Sequence, residues 1–94
     1  MKHALLLVSL GLLLLACAPD PRDVGLISVR PYPGAESQCQ VIGENDRTRE
    51  YLGDASILIG CPTNEKAAIT ARLGEGGQIV GRVQNWTLIS VPLR

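Results

Sequence analysis

Phenylalanine is missing from this chain of 94 residues, and the other aromatics are scarce: one tryptophan, Trp86, and two tyrosines, Tyr32 and Tyr51. Any core must therefore be built from Ile, Val and Leu. Histidine occurs once, as His3. Charge of either sign is not in excess, with nine basic and nine acidic residues. A neutral chain has no electrostatic footprint for nucleic acid or for anionic lipid, so both are set aside as partners recognised by charge. No apolar run reaches the ~20 residues that a helix needs to cross a bilayer.

The longest apolar run is nevertheless the main signal. Met1-Lys2-His3 is a short, weakly basic start, and residues 4–16 are dominated by leucine, broken only by Ser9 and Gly11. Pro19-Asp20-Pro21 stops the run. A charged start, an apolar stretch and a small residue before a cut make up a secretory signal peptide. Such residues are apolar on every face and suit no surface helix. Ala16-Cys17-Ala18 also reads as a small-x-small cleavage site, but a cut after Ala18 leaves Pro19 first, a poor residue behind a scissile bond.

The ending Leu14-Leu15-Ala16-Cys17 resembles the lipobox of bacterial lipoproteins, in which cleavage between Ala16 and Cys17 leaves a lipidated cysteine as the new N-terminus. The resemblance implies a signal peptide over 1–16, two or three acyl chains (palmitate among them) on Cys17, and a membrane anchor in the cell envelope. One chain holds only marginally, whereas two or three hold firmly. Ala18 follows the cysteine where an aspartate would favour the inner membrane. The outer membrane, periplasmic face, is thus implied for a Gram-negative source. The segments Cys39-Gln40-Val41-Ile42-Gly43-Glu44 and Tyr51-Leu52-Gly53-Asp54, leading into Leu58-Ile59-Gly60-Cys61-Pro62, look like small uncharacterised envelope lipoproteins. That likeness implies a location and no activity.

Three cysteines in an exported chain leave one over. With Cys17 lipidated, Cys39 and Cys61 remain as a pair, and export is where such a pair forms a disulfide and keeps it. Residues 17–94 suffice for one small domain and a tether.

Pro19, Pro21, Pro31 and Pro33 make 17–37 read as a proline-rich tether ahead of a domain over 38–94. About twenty extended residues would lift that domain ~60 Å from a bilayer. Within the tether, 24–29 is apolar enough for a short strand docked on the domain. Residues 39–42 and 55–61 read as strands bounded by turn formers. Paired antiparallel with Cys39 opposite Cys61, they bring Val41 to Ile59 and Gly43 to Ile57. The loop between has room for a helical turn, capped by Asn45 and stopped by Gly53. Pro62-Thr63 then opens the clearest helix, with Thr63 as N-cap, Glu65 and Arg72 suiting the dipole, and Ile69 and Leu73 on one face widened by Ala68. Residues 78–83 and 86–91 form a hairpin around Gln84-Asn85, closed by Pro92. The expected class is α+β: a small antiparallel sheet in β-β-α-β-β order with one packed helix and one disulfide.

Chemistry is thin. His3 leaves with the leader, which excludes Ser-His-Asp, Cys-His and most zinc arrangements. Cys39 and Cys61 lack the Cys-x-x-Cys spacing of redox motifs. Gly74-Glu75-Gly76-Gly77 follows a helix, whereas a phosphate loop precedes one. No catalytic residue, cofactor or metal ligand is expected. Glu44, Asn45 and Asp46 with Glu50 and Asp54 are the densest oxygen cluster, and they supply an alternative, a small-ligand or calcium-binding loop over 44–54. Their spacing departs from the Asp-x-[Asp/Asn]-x-[Asp/Asn]-Gly pattern, and Arg47 and Arg49 interrupt it. Trp86 and Tyr51 are either core residues or anchors of an interface. The leading expectation is a non-enzymatic envelope lipoprotein, held to a membrane through lipid on Cys17 and binding or bracing an envelope protein.

Overall fold

The computed structural model describes residues 20–53 and 55–93. Cys17 and the expected signal peptide over 1–16 lie outside them, and so does Asp54. Five strands, β1 (Ser28–Pro31), β2 (Gln40–Ile42), β3 (Ser56–Pro62), β4 (Gln78–Val83) and β5 (Trp86–Pro92), form one antiparallel sheet in the order β1-β2-β3-β5-β4. One helix, α1 (Lys66–Gly74), joins β3 to β4. The α+β class and the β-β-α-β-β order expected for 38–94 are what the chain adopts, with β1 added at one edge.

Alternation along β3 and β5 makes both faces of the sheet apolar. Cys39, Val41, Ile59, Cys61, Ile89 and Val91 pack together on the face covered by α1. Ile42, Leu58, Trp86 and Leu88 pack on the other face, where Leu26 covers them. Neighbouring residues go to opposite sides because successive strand side chains point to opposite faces. The pair β3–β5 is the longest ladder, from Ser56↔Pro92 to Pro62↔Trp86. The β4–β5 hairpin turns through Gln84-Asn85 as expected, with Val83 opposite Trp86. Gln84 takes a φ of 52°, since tight two-residue hairpins demand a left-handed residue.

The β2–β3 register pairs Gln40 with Gly60 and Val41 with Ile59. Cys39 and Cys61 are bonded sulfur to sulfur, their Cα atoms 4.2 Å apart, close to the spacing of a non-hydrogen-bonded antiparallel pair. The ladder stops before Gly43 reaches Ile57. Gly43, in phase with Cys39 and Val41, faces away from β3 and donates its N–H to the Ile27 carbonyl, just ahead of β1, at 2.8 Å.

That contact corrects the tether. Residues from 20 onward belong to the folded body: Pro21 and Leu26 are buried. Asp20 caps a 3₁₀ turn (Pro21–Val24) that Gly25 ends at a φ of 82°. The strand expected over 24–29 is displaced, with Val24 in the turn and β1 starting at Ser28. Proline is tolerated here because it opens a turn and ends an edge strand.

The helix also departs from its sequence reading. It starts at Lys66 after Glu65, with no side-chain cap. Thr63 spends its hydroxyl on the Thr87 hydroxyl at 2.9 Å. The covered stripe is Glu65, Ala68, Ile69 and Arg72, the i, i+3, i+4, i+7 rule for one helix face. Leu73 is turned out to the rim, and Arg72 occupies the inward place expected of it.

Candidate functional site

The two residues weighed as interface anchors lie on one face of the sheet. Trp86 retains 1% of its surface and packs in the cluster with Leu58 and Leu88. It is the largest core residue rather than an exposed anchor, because a core without phenylalanine needs its volume on the face away from α1. Its indole N–H has no hydrogen-bond partner among the described residues. Tyr51 is half-buried against the same cluster. A Cβ on Gly81 would stand 2.9 Å from the Tyr51 hydroxyl oxygen, so glycine there lets the ring lie down on β4. The neighbouring Glu50 carboxylate pushes the Tyr51 phenol above its ordinary range. Tyr51 thereby braces its loop to the sheet and keeps part of its surface exposed.

The loop of oxygen ligands is organised from within. Asn45 accepts from the Arg47 and Thr48 amides at 2.9 and 3.1 Å, capping a turn as expected. Thr48 is fully buried; its hydroxyl donates to the Gly43 carbonyl at 2.9 Å and accepts from the Asn45 amide at 3.0 Å. A 3₁₀ turn, Arg49–Tyr51, follows. Arg49 reaches both Glu44 at 3.2 Å and Asp46 at 3.3 Å, so two carboxylates of the calcium alternative face a guanidinium. Among the described residues no three acidic, histidine or cysteine side chains converge as a metal set.

Sequence reasoning missed a third cluster. Arg72 keeps 6% of its surface exposed and forms a two-pronged pair with Glu75 at 2.7 and 3.1 Å. Its guanidinium carbon lies 5.2 Å from the centre of the Tyr32 ring, a favourable stacking of cation on aromatic. The group fastens the 31–38 connection to the end of α1. The Arg-x-x-Glu spacing on a helix end was the signal available. A shallow hollow of about 240 Å³ beside the Gly76 turn, lined by Ala55, Ser56, Gly76, Gln78, Ser90 and Pro92, offers hydroxyls and an amide but no titratable side chain.

The disulfide joins Cys39 to Cys61 across β2 and β3. Both cysteines are fully buried between α1 and the sheet, and their bond uses two of the three in the chain. Cys17 and the cleavage point expected after Ala16 lie outside the described residues. No helix among the described residues is long and apolar enough to cross a membrane. Comparison with known proteins finds no matching family model, no matching curated protein and no matching solved structure.

Proposed function

We propose that this chain is a lipid-anchored protein of the bacterial envelope, non-enzymatic, whose small domain binds or braces a protein partner at the membrane face. The observation that carries the reading is the division of the cysteines. Cys39 and Cys61 are bonded to each other, which suits an oxidising compartment. The third cysteine follows Leu14-Leu15-Ala16, where lipidation would account for it. Ala18 favours the outer membrane, periplasmic face, in an envelope with two membranes. The non-enzymatic part rests on the chemistry in reach, since the only histidine sits ahead of the proposed cleavage point.

The test is the intact mass of the protein from the membrane fraction, alkylated with and without reductant. A chain beginning at Cys17 with acyl mass, and two cysteines alkylated only after reduction, is the expected result. A chain beginning at Pro19 would overturn the anchor and leave a secreted domain. Crosslinking in intact cells then addresses the partner: a discrete adduct is expected, and recovery of monomer alone would count against a binding role.

A further inference from the structure

The fold begins almost as soon as the proposed anchor ends. Pro21 is buried in the body and is only four residues beyond Cys17. At ~3.5 Å per extended residue those four steps span at most about 14 Å. The polar headgroup layer of one leaflet is itself about 5–8 Å deep. That leaves at most about 6–9 Å between Pro21 and the headgroup surface, so one face of the domain is held against or close beside the lipid.

Which face follows from the first folded turn. The Leu26 N–H donates to the Pro21 carbonyl at 3.2 Å, bringing the start of the next stretch back to the attachment point. By bond lengths, Ile27 lies within roughly 11 Å of Pro21, Cα to Cα. Ile27 and Val29 are 45% and 59% exposed, two large apolar side chains left uncovered beside the tie. They form one patch: methyls of both reach the same point over Gly43, 3.1 and 3.4 Å from where a Cβ would stand there. Arg30 and Arg47 are exposed near this stretch, Arg47 lying against Gly25. Among the described residues neither has a carboxylate within ion-pair distance, so both are available to lipid phosphates.

We propose that Ile27 and Val29 form a membrane-contacting face that seats the domain directly on the bilayer holding its lipid anchor. The inference rests on the lipidation of Cys17 proposed above. The occupant is the lipid surface itself, because the anchor brings that surface within reach. The tie and the apolar pair drive the contact, and the net charge of the chain does not. The opposite end of the domain is thereby presented to partners.

The test uses the full chain, purified from membranes and reconstituted in vesicles of phosphatidylethanolamine and phosphatidylglycerol. Ile27→Cys, Val29→Cys and, as control, Thr70→Cys on the exposed side of α1 are each labelled with an environment-sensitive fluorophore without reductant. The buried disulfide is spared. Blue-shifted emission and severalfold stronger quenching by headgroup-labelled lipid at 27 and 29 than at 70 are expected. Acyl mass on the protein with equal quenching at all three positions would overturn this inference and leave the anchor standing. No acyl mass would overturn the anchor, and this inference with it. Shielding at 27 and 29 in native membranes but not in pure lipid would overturn it in favour of a protein occupant. Should the cysteine variants misfold, hydrogen exchange of the unaltered chain replaces them. Amides 27–30 should slow in vesicles relative to detergent while those of 66–74 do not, and equal behaviour of both segments overturns the proposal.

Discussion

Replacing Cys39 and Cys61 together by alanine removes the one covalent closure within the described fold, and the cost can be worked from its position. The two residues are 22 apart in sequence, so the bond closes a ring of about 23 residues. Loop-closure entropy for that length is about 11 cal/mol/K, or ~3.4 kcal/mol at 25 °C. Both side chains are fully buried, so losing their sulfurs adds a packing cost and makes this a lower figure. A domain of this size has a total stability of roughly 4–10 kcal/mol, of which a third or more would go. At about 4–8 °C per kcal/mol, the melting temperature should fall by roughly 14–27 °C. Urea unfolding of the full chain in detergent, followed by Trp86 fluorescence, measures the difference. A loss under about 1 kcal/mol would refute the argument, showing that the sheet holds β2 against β3 without the link. Thiol reactivity in the native protein before any reductant would refute it more directly.

Three further outcomes follow from particular contacts. Thr48→Val keeps the shape but removes the hydroxyl that serves Gly43 and Asn45; it should cost about 1–3 kcal/mol in urea unfolding and speed amide exchange across 43–51. Glu75→Gln leaves the Arg72 guanidinium buried without its carboxylate and should cost about 1–2 kcal/mol, whereas Arg72→Met removes the charge as well and should be near neutral; the reverse order would refute this account of the pair. Asp20 is held below its ordinary 3.8 by the side-chain hydrogen bond from Arg22, and then by the Arg22 amide. Its stabilisation of the first turn is therefore present above 3.8 and disappears as pH falls through the lower folded value, which the Asp20 carboxyl shift and Leu26 amide exchange between pH 5 and 2 would register.

The central strands and their hairpin were legible because their chemistry is local. Ile57-Leu58-Ile59 and the run from Trp86 to Val91 carry β-branched residues, and Gln84-Asn85 supplies the turn between β4 and β5. The disulfide was legible from cysteine arithmetic, and the Val41–Ile59 register followed from setting Cys39 opposite Cys61. What stayed hidden depended on distant partners. Thr63 has a cap's composition, but a hydroxyl on the neighbouring strand takes its hydrogen bond. Leu73 is the better core residue by hydropathy, yet Arg72 is turned inward, with Tyr32 and Glu75 placed to satisfy its guanidinium. The prolines of 19–33 signal extended chain, but composition alone cannot tell a tether from an edge strand. Trp86 and Tyr51 drew notice as aromatics, and only the packing around each shows which one keeps exposed surface.

The position of β5 has a consequence for how such a domain is made. It is the last described element in chain order, yet it lies between β3 and β4 and supplies the longest ladder. A chain emerging amino end first can bring Cys39 and Cys61 together while β5 is still to come, but β3 then has an open edge and β4 has no neighbour. Closure waits for Trp86–Pro92 to arrive. A polypeptide threaded through a membrane would thus stay loose enough to pass, and would lock only when its final strand slid between the two already waiting for it.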